Sequence, residues 1–290
     1  MKVILKWGLY ILIGLLLAMA IVPFVFRDKI EAIVKEEINK NVNAKVDFRS
    51  VDLSLFKSFP QLNVAIEGLS VTGVDTFQNI KLFDCKNINV AVPLKILFSD
   101  EATEITELNL DQPDINIVVI NENVANYLIS KNISSSSGDS NLALKLKNYS
   151  VHDGHIRYQD YQNDRIFEMG GFDHEGSGDM SQMVFTLKTH SQSDTINFVN
   201  AGVHYLTNAT GEVDANLMVD LNKNNYSFTD AVISLNALEA KANGEVELRP
   251  EDIYLSLTFD SGDQEFKDFM SVVPGFCLNN MKDVTSKGTA

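Results

Sequence analysis

From about Lys45 onward, apolar residues recur at every second position. The pattern runs through Leu62-Val64-Ile66, Ile88-Val90-Val92-Leu94, Ile115-Ile117-Val119, Leu142-Leu144-Leu146, Met183-Phe185-Leu187, Val213-Ala215-Leu217-Val219-Leu221 and Ile253-Leu255-Leu257-Phe259. A period of two places each set on one side of a pleated strand, so these segments predict strands with one apolar face. Thr72-Gly73, Asp111-Gln112-Pro113-Asp114, Asp153-Gly154, Thr210-Gly211 and Asn243-Gly244 read as turns between them, which predicts hairpin-connected antiparallel strands. Gly170-Gly171 with Glu175-Gly176-Ser177-Gly178 marks a flexible place, and the stretch 134–140, four serines then Gly-Asp-Ser, reads as a long surface loop. Near the end, Phe266, Phe269, Met270 and Val273 stand at helical spacing before Pro274-Gly275, so a short helix is expected over 264–273.

Upstream of residue 45 the period changes. Residues 7–26 carry no charged side chain, and about 20 residues at 1.5 Å each span a hydrocarbon core of about 30 Å. A membrane anchor is predicted there, with Leu15, Leu16, Leu17, Phe24 and Phe26 in its apolar body and Trp7 and Tyr10 near an interface. Lys2 and Lys6 favour a cytoplasmic amino terminus. A cleaved signal peptide is the competing reading, since Ala18-Met19-Ala20 has the form of a cleavage site; the apolar run continues past it to Arg27. Residues 28–41 then place Ile30, Ile33, Val34 and Ile38 on one side and Lys29, Glu31, Lys35, Glu36, Glu37 and Lys40 elsewhere, the pattern of an amphipathic helix.

Composition narrows the function classes. The 290 residues hold 24 Lys and Arg against 39 Asp and Glu, a net charge of -15. Without basic clusters to displace counterions, nucleic acid is excluded as a partner. Nucleophile elbow, phosphate loop, dinucleotide fingerprint and His-Glu-x-x-His helix are all missing from the sequence, so no catalytic residue is named, no cofactor is expected, and the chain is read as no enzyme. His152 and His155 flank Asp153 but have no evident third ligand, and a surface turn is the expectation there. Asp160 and Asp164 read as a charged loop. Cys85 and Cys277 can form at most one bridge, and only if their Cα atoms approach within about 7 Å.

The order of anchor, amphipathic helix, Asn43-Ala44-Lys45-Val46-Asp47-Phe48 and the run from Val51 to Pro60 (VDLSLFKSFP) resembles the amino-terminal region of AsmA-like proteins of Bacteroidetes type. So do QLNVAIEGLSVT over 61–72, ITELNLDQPDIN over 105–116, Glu122 to Tyr127, and the late Val273-Pro274-Gly275-Phe276. Where the family has Gly and Trp in an Asp-Gly-x-x-Asn-Trp phrase, this chain has Asn123 and Tyr127. The resemblance implies a mainly β fold: an anchor over 1–27, an amphipathic helix over 28–42, then a curved antiparallel sheet forming a periplasmic groove. That groove would take in a first β segment over 43–133, the loop 134–140, and a second β segment over 141–290, truncated at the carboxyl end. It further implies a single-pass bacterial inner-membrane protein whose partners are phospholipid and other envelope proteins, acting in lipid transport or outer-membrane upkeep. On that reading Leu62, Val64, Ile66, Ile88, Val90, Val92, Ile115, Ile117 and Val119 face lipid. The alternation alone also fits a membrane-tethered β-sandwich that binds or scaffolds, because two apolar faces closed on each other give the same pattern.

Overall fold

The computed structural model describes residues 42–55, 61–97, 103–129, 142–249 and 252–278, with Tyr10, Val25, Phe26, Ala32 and Gly288. The predicted anchor, amphipathic helix and serine-rich loop fall almost wholly outside these residues, and among the described ones no helix is long and apolar enough to cross a membrane.

Among the described residues thirteen strands follow one another: β1 (Lys45–Asp47), β2 (Ser50–Ser54), β3 (Gln61–Thr72), β4 (Lys81–Pro93), β5 (Thr103–Asn121), β6 (Val124–Ala125), β7 (Leu142–Asp160), β8 (Arg165–Ser177), β9 (Val184–Asn200), β10 (Val203–Asp220), β11 (Asn225–Leu235), β12 (Leu238–Leu248) and β13 (Ile253–Asp260). Two short helices close the described chain, α1 (Phe266–Met270) and α2 (Gly275–Leu278), so the helix expected over 264–273 is shorter than its pattern. All the strands belong to one wide, open, curved sheet ordered β1-β3-β4-β5-β7-β8-β9-β10-β11-β12-β13, with β2 also on β3 and β6 also on β5. A sandwich needs a second sheet to close on the first. The described strands form only this one.

One pairing departs from the antiparallel expectation. β5 and β7 run parallel, Ile115 opposite Ile156 and Ile117 opposite Tyr158. β6 makes the return possible by folding back on the end of β5, where the fully buried Asn126 replaces strand partners. Its Oδ1 accepts from Val118 N at 2.9 Å and its Nδ2 donates to Asn116 O at 2.7 Å.

Most of the expected turns are not turns. Gln112, Asp153, Gly171, Asn208 and Asp230 lie inside β5, β7, β8, β10 and β11, as Gly68 does in β3, with φ of +48 to +63°. Such a left-handed residue within a ladder makes a β-bulge, and Gly, Asn and Asp tolerate it best. Neighbouring side chains hold several bulges: Gln112 Nε2 donates to Asp153 Oδ2 at 2.8 Å, Asp153 N to Asp173 Oδ1 at 2.9 Å, Asn208 N to Asn197 Oδ1 at 2.8 Å, and Asp230 N to Asn243 Oδ1 at 2.9 Å. The reversals fall elsewhere, for example at Ala201-Gly202, where both φ values are positive as a two-residue hairpin loop requires.

Each bulge slips the period by one, and this decides the fold. In β7 the apolar side takes Tyr149 and Val151 before Asp153, then Gly154, Ile156 and Tyr158 after it. The slips stay in step across the sheet. Val71, Phe83, Ile115, Ile156, Met169, Ile196 and Ala209 oppose one another in a single row from β3 to β10. On the other side of the bulges run Ile66, Ile88, Leu110, Val151, His174, Ser191, Val213 and Ile233. Without the bulges, strands of up to 19 residues would show an apolar half and a polar half on each face.

The two ends of the sheet differ. β3 is covered by the short β1 and β2, which carry Lys45, Asp47 and Asp52. β13 has all eight residues exposed, carries no Lys, Arg or Pro, and has no partner strand on its outer side among the described residues.

Candidate functional site

The apolar face is the candidate site. From β3 to β13 it crosses ten strands, or nine spacings of about 4.8 Å, roughly 40 Å in all. Its inner positions are crowded although no second sheet lies over them: Ala242 is 0%, Ala231 1% and Ala209 2% exposed. Such small side chains are buried by their larger neighbours on the same face. Larger apolar residues around them, among them Phe228, Ile233 and Leu217, stay only half-buried, so the trough is open.

The predicted lipid-facing residues share this face but occupy its closed end. Leu62, Val64, Ile66, Ile88 and Val92 are buried in one cluster with Val51 and Leu55, and Val90 and Phe26 pack against it. Ile115 and Ile117 are half-buried and Val119 is buried beside the β6 return. Of the predicted anchor residues, only Tyr10 and Phe26 are described; Trp7, Leu15, Leu16, Leu17 and Phe24 are outside the described set. In the open stretch from β8 to β13, Met169, Phe172 and Phe228 were not read from the sequence as lining, because β8 and β11 break strict alternation with Gly and polar residues; Leu255 of β13 was read in an alternating strand but not named as lining.

The opposite face is polar along the same rows: Asn89, Asn109, Ser150, Glu175, His190 and Asp214 stand in line. An open depression of about 680 Å³ lies over its middle, bordered by Glu175, Lys188, His190 and Asp214. His190 Nδ1 lies 2.8 Å from Asp214 Oδ1, and this hydrogen bond raises the imidazole pKa above its usual range. Glu212 completes an exposed trio of metal-capable groups, whose ligand atoms lie within 4.8 Å of one another. His152 and His155 do not share a site. They flank the β7 bulge and bond separately, to Asp173 at 2.8 Å and to Asp114 at 3.1 Å. Asp160 is a turn cap, accepting from Gln162 N, Asn163 N, Asn163 Nδ2 and the Tyr158 hydroxyl, and these bonds lower its pKa. Both cysteines are free thiols, Cys85 buried and Cys277 exposed. Burial pushes the Cys85 thiol up, while its Sγ donates to the carbonyls of Asn87 and Asp111.

Against known families, the AsmA family profile matches residues 1–247, from the apolar amino-terminal run through almost the whole sheet. The chain belongs to the AsmA family. No curated protein matches it. The match spans the described strands through β11 and nearly all of β12, so the row of bulges and the apolar face as far as β12 lie within the part of this AsmA protein that the family match covers.

Proposed function

We propose that this AsmA family protein holds lipid acyl chains on the open apolar face of its sheet, and so takes part in phospholipid movement to, or upkeep of, the outer membrane. On this reading residues 7–26 anchor the chain in a bacterial inner membrane, and the sheet stands in the periplasm. One observation supports it most: an apolar face kept continuous over roughly 40 Å by bulges that would otherwise be unnecessary. Leaving water stabilises an acyl chain by about 0.8 kcal/mol per CH₂, so a chain of about 16 carbons meets a barrier on the order of 10 kcal/mol in crossing aqueous space. A trough lowers that barrier without chemistry, which agrees with a sequence that offers no catalytic group. The single open sheet gives the tethered sandwich no support.

The test is site-specific photo-crosslinking in cells, with the probe at Val213 on the apolar face and at Glu212 on the polar face. Phospholipid adducts at 213 and none at 212 are expected. Equal labelling at both, or protein adducts alone at 213, would overturn the proposal.

A further inference from the structure

The closed end of the trough is more deeply buried than its strands alone explain. Leu62, Val64, Ile66, Ile88 and Val92 are 0–8% exposed on a face over which the described strands place no second sheet. Farther along the same face Val213, Leu217, Phe228 and Ile233 stay half-buried. Large apolar side chains on a single sheet lose their water only when another element lies over them, so this end has a cover that the far end lacks. Among the described residues upstream of β1, Phe26 packs against the cluster.

Three residues show how the chain around Phe26 is turned. Val25, Phe26 and Ala32 are all helical; Phe26 is half-buried, whereas Val25 is 65% exposed and Ala32 is also exposed. At about 100° per residue, Phe26, Ile30, Ile33 and Val34 fall within an arc of about 100°, with Ile38 just beyond its edge. None of the charged residues from 27 to 35 falls in that arc. Val25 and Ala32 lie on the opposite side of the same wheel, the side found exposed. The downstream end is held as well, because Asn43 N donates to Ile129 O just after the β6 return. From Phe26 to Asn43 a helix would reach about 25 Å, enough to pass across the buried cluster. Of the residues 27–41, only Ala32 is described.

We infer that residues 27–41 dock as a helix in the closed end of the trough, with Ile30, Ile33, Val34 and Ile38 seated on Leu62, Val64, Ile66, Ile88 and Val92. The occupant of that end is a segment of this chain, and its other side presents Lys29, Glu31, Lys35 and Glu36 to water. The positions on β3 and β4 expected to face lipid face this helix instead. On the lipid-holding reading, on which this consequence rests though the docking does not, an acyl chain finds free apolar surface only from β5 onward.

The test places an aliphatic diazirine probe at Val90, which is half-buried and packs against the cluster, in the full chain purified in detergent with its bound lipid. Isotopically heavy and light chains are mixed before irradiation, and adducts are identified by mass spectrometry. A peptide from 27–41 of the same chain is expected. Phospholipid at 90, a peptide of the other isotopic chain, or adducts confined to β3 to β5 would each overturn the docking. Ile33→Asp should lower the 27–41 adduct about ten-fold, and Ala32→Glu, on the outward side, should leave it unchanged. Hydrogen exchange over 184–220 should stay slow in both variants, so that a lost adduct reports the helix and not the sheet. Equal adducts in wild type and both variants would overturn the assigned orientation. A 27–41 adduct at 90 without phospholipid at 213 would sink the lipid-holding reading and leave the docking in place.

Discussion

Inserting one Gln between Gly154 and His155 tests whether the register of the bulges keeps the apolar face continuous. The slip at Asp153 brings Ile156 and Tyr158 to the same side as Val151, and one further residue after Gly154 turns the rest of β7 over: Ile156 and Tyr158 go to the polar side, and His155 and Arg157 enter the trough. Ile156 and Tyr158 are half-buried, so each loses about 1 kcal/mol, half the value of a fully buried side chain. Each polar residue placed in the apolar row costs about 1 kcal/mol more. The loss is about 4 kcal/mol, a large part of the stability of many domains. Asp153→Gly is the control, because glycine takes the same φ of +48° and gives up only the side-chain bond from Gln112. Urea unfolding followed by circular dichroism should place the midpoint of the insertion far below that of Asp153→Gly, which should lie within about 1 kcal/mol of wild type. Equal midpoints for the two variants would refute the argument from register.

Three further outcomes follow from single residues. Gly244→Ala puts a Cβ 2.1 Å from the Ser256 carbonyl oxygen, so β13 should detach from β12 and hydrogen exchange should quicken in 253–260 while β7 to β9 stay protected. Asn126→Ala leaves Val118 N and Asn116 O without their partners and should lower stability by about 2–4 kcal/mol; a loss under 1 kcal/mol by urea titration would mean that the β6 return does not depend on it. By NMR, His174 should titrate below the usual histidine range, through burial, and His190 above it, through Asp214. Because the folded pKa of His190 is raised, its contribution is full below about pH 6.5 and fades as pH rises through the folded value. His190→Gln should therefore lower stability slightly at pH 6 and not at pH 9, by well under 1 kcal/mol, since both side chains are exposed and screened.

Alternation found β3, β4, β5, β7, β9, β10 and β13 because each carries an unbroken apolar series on at least one side of its bulge. The same residue types misled the turn reading. Asp153-Gly154 and Thr210-Gly211 mark sites where the chain takes a left-handed residue, and a hairpin and a bulge both need one. What separates them is whether a partner strand continues alongside, which no local window contains. The parallel pairing of β5 with β7 is hidden for a related reason, since it accompanies the fold-back of β6 on β5 that Asn126 fixes. The candidate face was legible as a set of apolar positions. Its division into a closed end at β3 and β4 and an open reach beyond β7 was not, because burial depends on what packs against a residue rather than on its own type.

The outer side of β13, which has no partner strand among the described residues, makes the protein's solubility conditional. Charges, prolines and bulges on an edge ordinarily stop one sheet from growing onto another, and β13 has none of them within Ile253–Phe259. Whenever that side stands uncovered, copies meeting there gain backbone hydrogen bonds and apolar contact together, which is how edge-to-edge aggregation begins. A lysine at Ser256 or Thr258 should thus raise the concentration the protein tolerates while leaving the register of the other strands untouched. The apolar strand at the last described edge of the trough thus bears on how much of this protein can be kept in solution.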